Sequence, residues 1–431
     1  MTIALRRPSP AACGLVLSLA AAFGGLPAPS PAVGQPAAAE RERKDPAALM
    51  GERAYRRYES LAGLYSDGKY NEALAAVEAF LRGELNDYER AMGEQLGGYV
   101  LVALGRPGEA VARFERALRL DALPNSVHFG LMRSLAQLYA GQGEWQATID
   151  LLSEYLRYQA RPAPEDGIIM AQSHAQMQRY RAALPWVRQA IEAAGDRAEE
   201  SWYQLELAIH FELRNWDAAL GVLRVLVARW PDRLRYWEMM AGAYQELERP
   251  RDAVAALMTA YDAGLVTGEP GLLRLARLSL YAELPFRAGR ILEDAIAAGR
   301  VEANAANLQL LLQAWSAARE YARAGAVIDR LAPMTGDGDL LLHKARLLLE
   351  LGDWQGAVEA AHAGLELGQV SQPGSAWLLV GIALLELDRL RESRQALQRA
   401  QEFDTETRRQ AREWQRFVDE RIEVAGLRSR R

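Results

Sequence analysis

A small residue returns about every 35 positions along most of this sequence. Ala73, Ala110, Thr148, Ala183, Ala219, Ala253, Ala288, Ala324, Ala357 and Ser393 mark ten units, with successive spacings of 37, 38, 35, 36, 34, 35, 36, 33 and 36 residues. Three positions before each marker stands a proline, a large aromatic or, once, leucine: Tyr70, Pro107, Trp145, Tyr180, Trp216, Pro250, Pro285, Tyr321, Trp354 and Leu390. Twelve positions before the marker another small residue recurs, as Gly98, Ala136, Ala171, Ala241, Ala276, Ala345 and Gly381. Self-similarity at such a period excludes an ordinary two- or three-domain globule. It requires a supersecondary unit repeated along one axis.

The spacing within a unit is helical. Trp237, Met240, Ala241 and Tyr244 fall on one helical face, and Ala253, Leu257 and Ala260 on one face of a second helix. Two helices approach closely only where side chains are small, and large neighbours fill the space beside them. Trp237 is therefore expected to pack over Ala241 and against Leu257. One hairpin cannot bury its apolar face alone, so each must stack on the next. The turns agree. Pro107, Pro250 and Pro285 suit the first position of a helix, where the missing N–H costs nothing. Asn215 and Asp353 precede Trp216 and Trp354, where a capping side chain is wanted. Gly68, Gly105, Gly143 and Gly352 fall in the turn between the two helices.

This pattern resembles the tetratricopeptide repeat, a helix-turn-helix of about 34 residues. The resemblance covers residues 54–403 and implies an all-α fold: a superhelical solenoid of about ten helix-turn-helix repeats with a C-terminal capping helix. The cap is read in residues 404–431, whose helical pattern carries Trp414, Phe417, Val418 and Ile422 on an otherwise polar helix. Residues 40–53 read as a flexible lead-in.

Residues 1–39 read as a signal peptide. Arg6 and Arg7 precede an apolar run from Ala11 to Leu26, followed by a stretch rich in proline and small residues. The run falls short of the roughly 20 residues that a membrane span needs. Cleavage is expected after Gly34 or after Ala39. The second would remove two arginines and no acid, taking the net charge from −5 to −7. The chain's one cysteine, Cys13, lies inside this segment, so the exported chain would hold no disulfide, thiolate metal site or cysteine nucleophile. The expected location is the periplasm, with no transmembrane span after cleavage.

Catalytic chemistry finds no foothold. The five histidines, His128, His174, His210, His343 and His362, sit in no metal-ligand spacing, and His174 and His210 share one repeat position that normally flanks the core. No phosphate-cradling glycine loop or nucleophile elbow occurs. The run Gly336 to Asp339 has two carboxylates but lacks a calcium-loop register and reads as a connector. No basic tract marks a nucleic-acid surface. The expectations are no enzyme, no cofactor and no metal.

What remains is the face of the first helices, which lines the groove in this fold. At the fifth and ninth repeat positions it carries Arg133, Gln137, Gln172, Gln204, Arg277, Gln309, Gln313 and Arg346, beside Gln95 and Tyr99. Arginine and glutamine there can hydrogen-bond an extended peptide or carboxylates. These eight residues are the candidate partner-binding set, although ordinary solvated helix faces carry the same residue types. The Lys/Asn clamp of chaperone-docking repeats is absent.

One segment narrows the resemblance. LARLSLYAELPFRAGRILEDAIAAGRVEANAANLQLLLQAWSAAREYARA, residues 275–324, and the unit before it resemble periplasmic tetratricopeptide proteins encoded beside TonB, ExbB and ExbD components in Gram-negative bacteria. That resemblance implies a non-catalytic interaction scaffold, accessory to energy-coupled uptake, whose partner is a protein or peptide in the groove, a TonB/ExbB/ExbD-type component among the candidates. A periplasmic assembly factor for envelope polysaccharide or outer-membrane proteins is the alternative.

Overall fold

The computed structural model describes residues 43–159 and 161–428; the segment read as a signal peptide, both expected cleavage positions and Cys13 lie outside them. The described residues hold twenty-one α-helices, one 3-10 turn and no strand. The chain divides into two compact units, residues 1–222 and 223–431.

In the first unit, four hairpins pair α1 (Glu52–Ser66) with α2 (Tyr70–Leu81), α3 (Asp87–Ala103) with α4 (Pro107–Arg119), α5 (Asn125–Gln142) with α6 (Trp145–Leu156), and α7 (Pro164–Gln176) with α8 (Tyr180–Ala194). Then come α9 (Glu200–Glu212) and α10 (Trp216–Arg229), the latter containing the division between the units. The second unit continues with α11 (Leu234–Glu246) and α12 (Pro250–Asp262), α13 (Glu269–Tyr281) and α14 (Pro285–Ala297), α15 (Ala305–Ala317) and α16 (Tyr321–Thr335), α17 (Gly338–Glu350) and α18 (Trp354–Leu367), and α19 (Pro373–Glu386) and α20 (Leu390–Ala400), before α21 (Thr405–Arg428). Within each unit the helices pack chiefly on their sequence neighbours wherever the packing is described, and α5, α7 and α9 also meet side by side.

All ten marker residues are fully buried, and the residue three before each marker is the first residue of a second helix. The two polar markers satisfy their hydroxyls on the backbone: Thr148 Oγ1 donates to Glu144 O at 3.0 Å and Ser393 Oγ to Gly381 O at 2.6 Å. The close approach is tightest where glycine stands on the first helix. A Cβ added to Gly98 would lie 2.1 Å from a ring carbon of Phe114, and one on Gly381 would lie 2.6 Å from Leu397. Phe114 and Leu397 stand four residues after their markers and are themselves fully buried. A large side chain on the second helix thus occupies the space that a small one on the first leaves open.

Each of the ten interhelix turns turns through one left-handed residue five positions before the marker. Glycine fills it at Gly68, Gly105, Gly143 and Gly352, as expected, but Gln178, Arg214, Glu248, Glu283, Arg319 and Asp388 fill it elsewhere with φ between 53° and 60°. The following N-terminus begins with Pro107, Pro250 or Pro285 at three turns, and Asp353 accepts from Gly356 N–H at 2.9 Å at a fourth.

Trp237 is not the side chain of this turn that goes deepest. It is half-buried at the start of α11, and its indole N–H donates to Pro231 O at 3.1 Å, fastening the helix to the turn before it. Tyr236 is the side chain that goes inside, at 1% exposure. Adjacent residues point about 100° apart around a helix, so Tyr236 takes the inward direction and Trp237 the edge, where its indole N–H finds an acceptor. At the other end, α21 seals the last hairpin with Ala411, Val418 and Trp414 against Leu385 and Leu397, while Phe417 stays 49% exposed.

Two outcomes follow from this packing. Gly98→Ala should destabilise the first unit by about 1–3 kcal/mol, because the Phe114 ring has no room to retreat, and thermal melting by circular dichroism measures it. Glu283→Gly should instead raise the melting temperature, by about 0.5–1 kcal/mol of stability. Relieving a left-handed L-residue gains roughly 1–2 kcal/mol, and glycine's extra chain entropy takes back roughly 0.5–1.

Candidate functional site

The eight candidate residues fall on first helices, and the structure sorts them into two kinds. In the first unit, Arg133 and Gln137 lie on α5, Gln172 on α7 and Gln204 on α9. Gln137 is exposed and Gln172 half-buried. Gln204 donates to Glu200 of its own helix at 3.3 Å. Arg133 is engaged by the fold: its Nε donates to Asp166 Oδ1 at 2.5 Å, with Glu165 at 3.9 Å. That contact joins the first helices of neighbouring repeats, α5 and α7.

Asp166 is wholly buried, and its second oxygen finds no hydrogen bond among the described residues. Burial pushes its carboxyl above the usual range, against the pull of Arg133. The pair rests beside an aromatic group in which Phe129 stacks 5.0 Å from Tyr158 and 6.5 Å from Tyr155. A half-buried arginine that neutralises a buried carboxylate leaves little of itself for a partner. The sequence offered no sign of this, since Glu165 and Asp166 look alike as acids in the first turn of a helix.

In the second unit, Arg277 lies on α13, Gln309 and Gln313 on α15 and Arg346 on α17, and all four are exposed. None of the four makes a hydrogen bond or ion pair among the described residues. One turn after Arg277, Tyr281 is 68% exposed, an aromatic at a groove position that the reading of fifth and ninth positions passed over. The first helices here are tied together by other side chains. Arg274 reaches Glu238 at 3.5 Å between α13 and α11, and Ser316 lies 3.5 Å from His343 between α15 and α17. Burial, with Arg346 nearby, holds the His343 imidazole below its usual range, which favours the neutral ring.

The remaining polar clusters tie helices together, within a hairpin or across to the next. Arg113 bonds Glu94 at 3.0 Å and also Glu78, and Arg116 reaches the same Glu94 at 2.9 Å. Arg188 donates to Glu206 Oε1 at 2.9 Å and lies 3.0 Å from His210 Nε2, joining α8 to α9. His210 is 1% exposed. No group of His, Cys, Asp and Glu side chains able to hold a metal ion occurs among the described residues. No helix there is long and apolar enough to cross a membrane.

The Glu206 cluster gives the first unit an acid-sensitive tie. Burial by itself would raise the Glu206 carboxyl, but the His210 ring 3.6 Å away and the Arg188 hydrogen bond together outweigh it and hold the carboxyl below the usual range. A depressed carboxylate contributes stability above its unfolded pKa and loses it as pH falls through its folded one. Glu206→Gln should therefore melt below the parent at neutral pH, with the two curves converging as pH falls through the lowered range of the folded carboxyl. Melting temperature against pH reads this, and a gap equally wide at both ends would show that the carboxylate charge plays no part.

Comparison with known proteins agrees with the geometry. The tetratricopeptide repeat family matches residues 96–166 and 342–406. No curated protein matches the sequence. Among solved structures, the chain is similar to a tetratricopeptide repeat protein from Parabacteroides merdae, at 17% identity over 61% of this chain and 98% of that one, with a TM-score of 0.36. It is also similar to YrrB, described as a tetratricopeptide protein with an unusual peptide-binding site, at 16% identity over 40% of this chain and 85% of that one, TM-score 0.34. A third is MamA from Desulfovibrio magneticus, at 18% identity over 40% and 95%, TM-score 0.31. Matched repeats at residues 96–166 and 342–406, and ten hairpins that bury a small residue at each crossing, give this chain an all-helical fold of tetratricopeptide-type hairpins.

Proposed function

We propose that the chain is a non-catalytic interaction scaffold of the periplasm, and that the first-helix face of its second unit takes up a protein component of a TonB–ExbB–ExbD-type uptake system. The observation that carries this reading is the set Arg277, Gln309, Gln313 and Arg346: exposed, unpaired and on successive first helices. The fold has no use for them, because packing is served by the small and apolar positions of the same helices. Arg277 and Arg346 offer guanidinium forks, Gln309 and Gln313 offer amides that both donate and accept, and Tyr281 adds a flat apolar surface one turn from Arg277. Such a surface suits an extended peptide with carboxylates among its side chains. Export rests on the Arg6–Arg7 and apolar-run pattern, and the uptake role on the resemblance carried by residues 275–324.

The test is cross-linking and pull-down from the periplasm, comparing the parent with the double variant Arg277→Glu/Arg346→Glu. Both positions are exposed, so folding should survive, with stability changed by no more than about 0.5 kcal/mol each. Capture of an ExbB-, ExbD- or TonB-like component should fall at least tenfold, since reversed charges at an interface cost several kcal/mol. Unchanged capture by a folded double variant would exclude this face. Capture of envelope-assembly proteins in place of uptake components would favour the assembly-factor role. Mass spectrometry of the same material reads the N-terminus, expected at Gln35 or Glu40.

A further inference from the structure

Residues 43–50, read from the sequence as part of a flexible lead-in, run without helix along the first unit and end on α3 and α5. The Arg43 guanidinium is enclosed by the corner between α4 and α5, with only 11% of the side chain exposed. Nε and one terminal nitrogen donate to Asp121 Oδ1 at 2.9 and 2.6 Å, and that nitrogen also donates to Asp121 O at 3.0 Å. The other terminal nitrogen donates to Leu123 O at 3.0 Å and to Asn125 Oδ1 at 2.5 Å.

Asn125 reads the backbone as well. Its side-chain amide donates to Arg43 O at 2.8 Å, and its own backbone N–H donates to Asp45 Oδ1 at 2.7 Å. Asn125 is the first residue of α5, and Pro124 before it provides no side-chain cap, so Asp45 supplies the carboxylate that this helix start lacks. Lys44 between them is exposed. Pro46 follows and biases Asp45 to an extended backbone.

The corner itself departs from the rest of the array. Asp121 has φ 48°, eleven residues after its marker, where Gly264, Gly299 and Gly368 hold positive φ eleven residues after theirs. A side chain at a left-handed position carries strain that glycine avoids. Here the strained residue turns both its carboxylate and its carbonyl onto one guanidinium.

We propose that the α4–α5 corner is a recognition site for an extended peptide of the form Arg-x-Asp, and that Arg43–Lys44–Asp45 is the ligand the chain places there in cis. The fork geometry selects arginine over lysine, because a single ammonium cannot meet Asp121, Leu123 and Asn125 together. The spacing to Asp is set by Asn125, which holds Arg43 and Asp45 at once. An Arg-x-Asp segment of another chain would enter only by displacing the cis segment, whose tether gives it an effective concentration of roughly millimolar.

The probe is a fluorescent peptide of residues 42–49, ERKDPAAL, titrated by anisotropy into the full chain. Arg43→Ala/Asp45→Ala empties the corner, and the peptide should bind that variant at least tenfold more tightly than it binds the parent. Adding Asp121→Ala to the emptied variant should abolish binding. Absence of saturable binding to the emptied variant, equal binding to the parent, or binding indifferent to Asp121→Ala would each overturn the proposal. A second measurement needs no emptied variant. Tryptic cleavage after Arg43 in the full chain should run at least tenfold faster with Asp121→Ala as the only change, and equal rates would likewise overturn it.

Discussion

Everything in this structure depends on how near two helices can come within one hairpin. At ten crossings the second helix presents a residue no larger than threonine, and at each that residue is fully buried. Nearness there sets the angle of the pair, the angle sets where the next pair can stack, and the stack makes the core within each unit. Gly98 against Phe114 shows the limit of the arrangement, because even one added methyl has no place to go. An apolar contact this close supplies shape first. The groove positions are free to carry function because they contribute nothing to the crossing.

That division explains what could be read from the sequence. The crossings obey a period, so their ten positions, the first residues of all ten second helices and the proline-led starts were legible from spacing alone. The turns were legible only where glycine announced them. Gln178 or Arg319 in the same left-handed role looks like any polar residue, because the local strain is imposed by the helices on either side. Tyr236 went unnoticed beside Trp237 for a related reason. Periodicity names the face of a helix but does not say which of two adjacent aromatics points deepest into the pair.

The candidate site was legible to the same degree. Repeat position placed the eight residues on first helices, but position cannot show whether a side chain is already committed. Arg133 and Arg277 look alike in sequence; one neutralises a buried carboxylate on the next repeat and the other meets nothing. The difference lies in Asp166, thirty-three residues from Arg133, which no local pattern singles out. Arg43 is the same case at longer range, since its acceptors lie about eighty residues away at a corner whose importance rests on backbone conformation.

The left-handed corners also bear on how such a chain comes apart. In a stack where each hairpin feels only its neighbours, strain at one corner is not shared out over the molecule. It lowers the cost of opening at that place alone. The first three hairpins turn on glycine and the next five do not, the ninth returns to glycine and the tenth reverts to aspartate. Stability along the chain is therefore graded by its corners, so that breathing begins at hairpins chosen by one residue each. A partner that grips the first helices of two adjacent hairpins would quiet that breathing by holding shut the corners beside it.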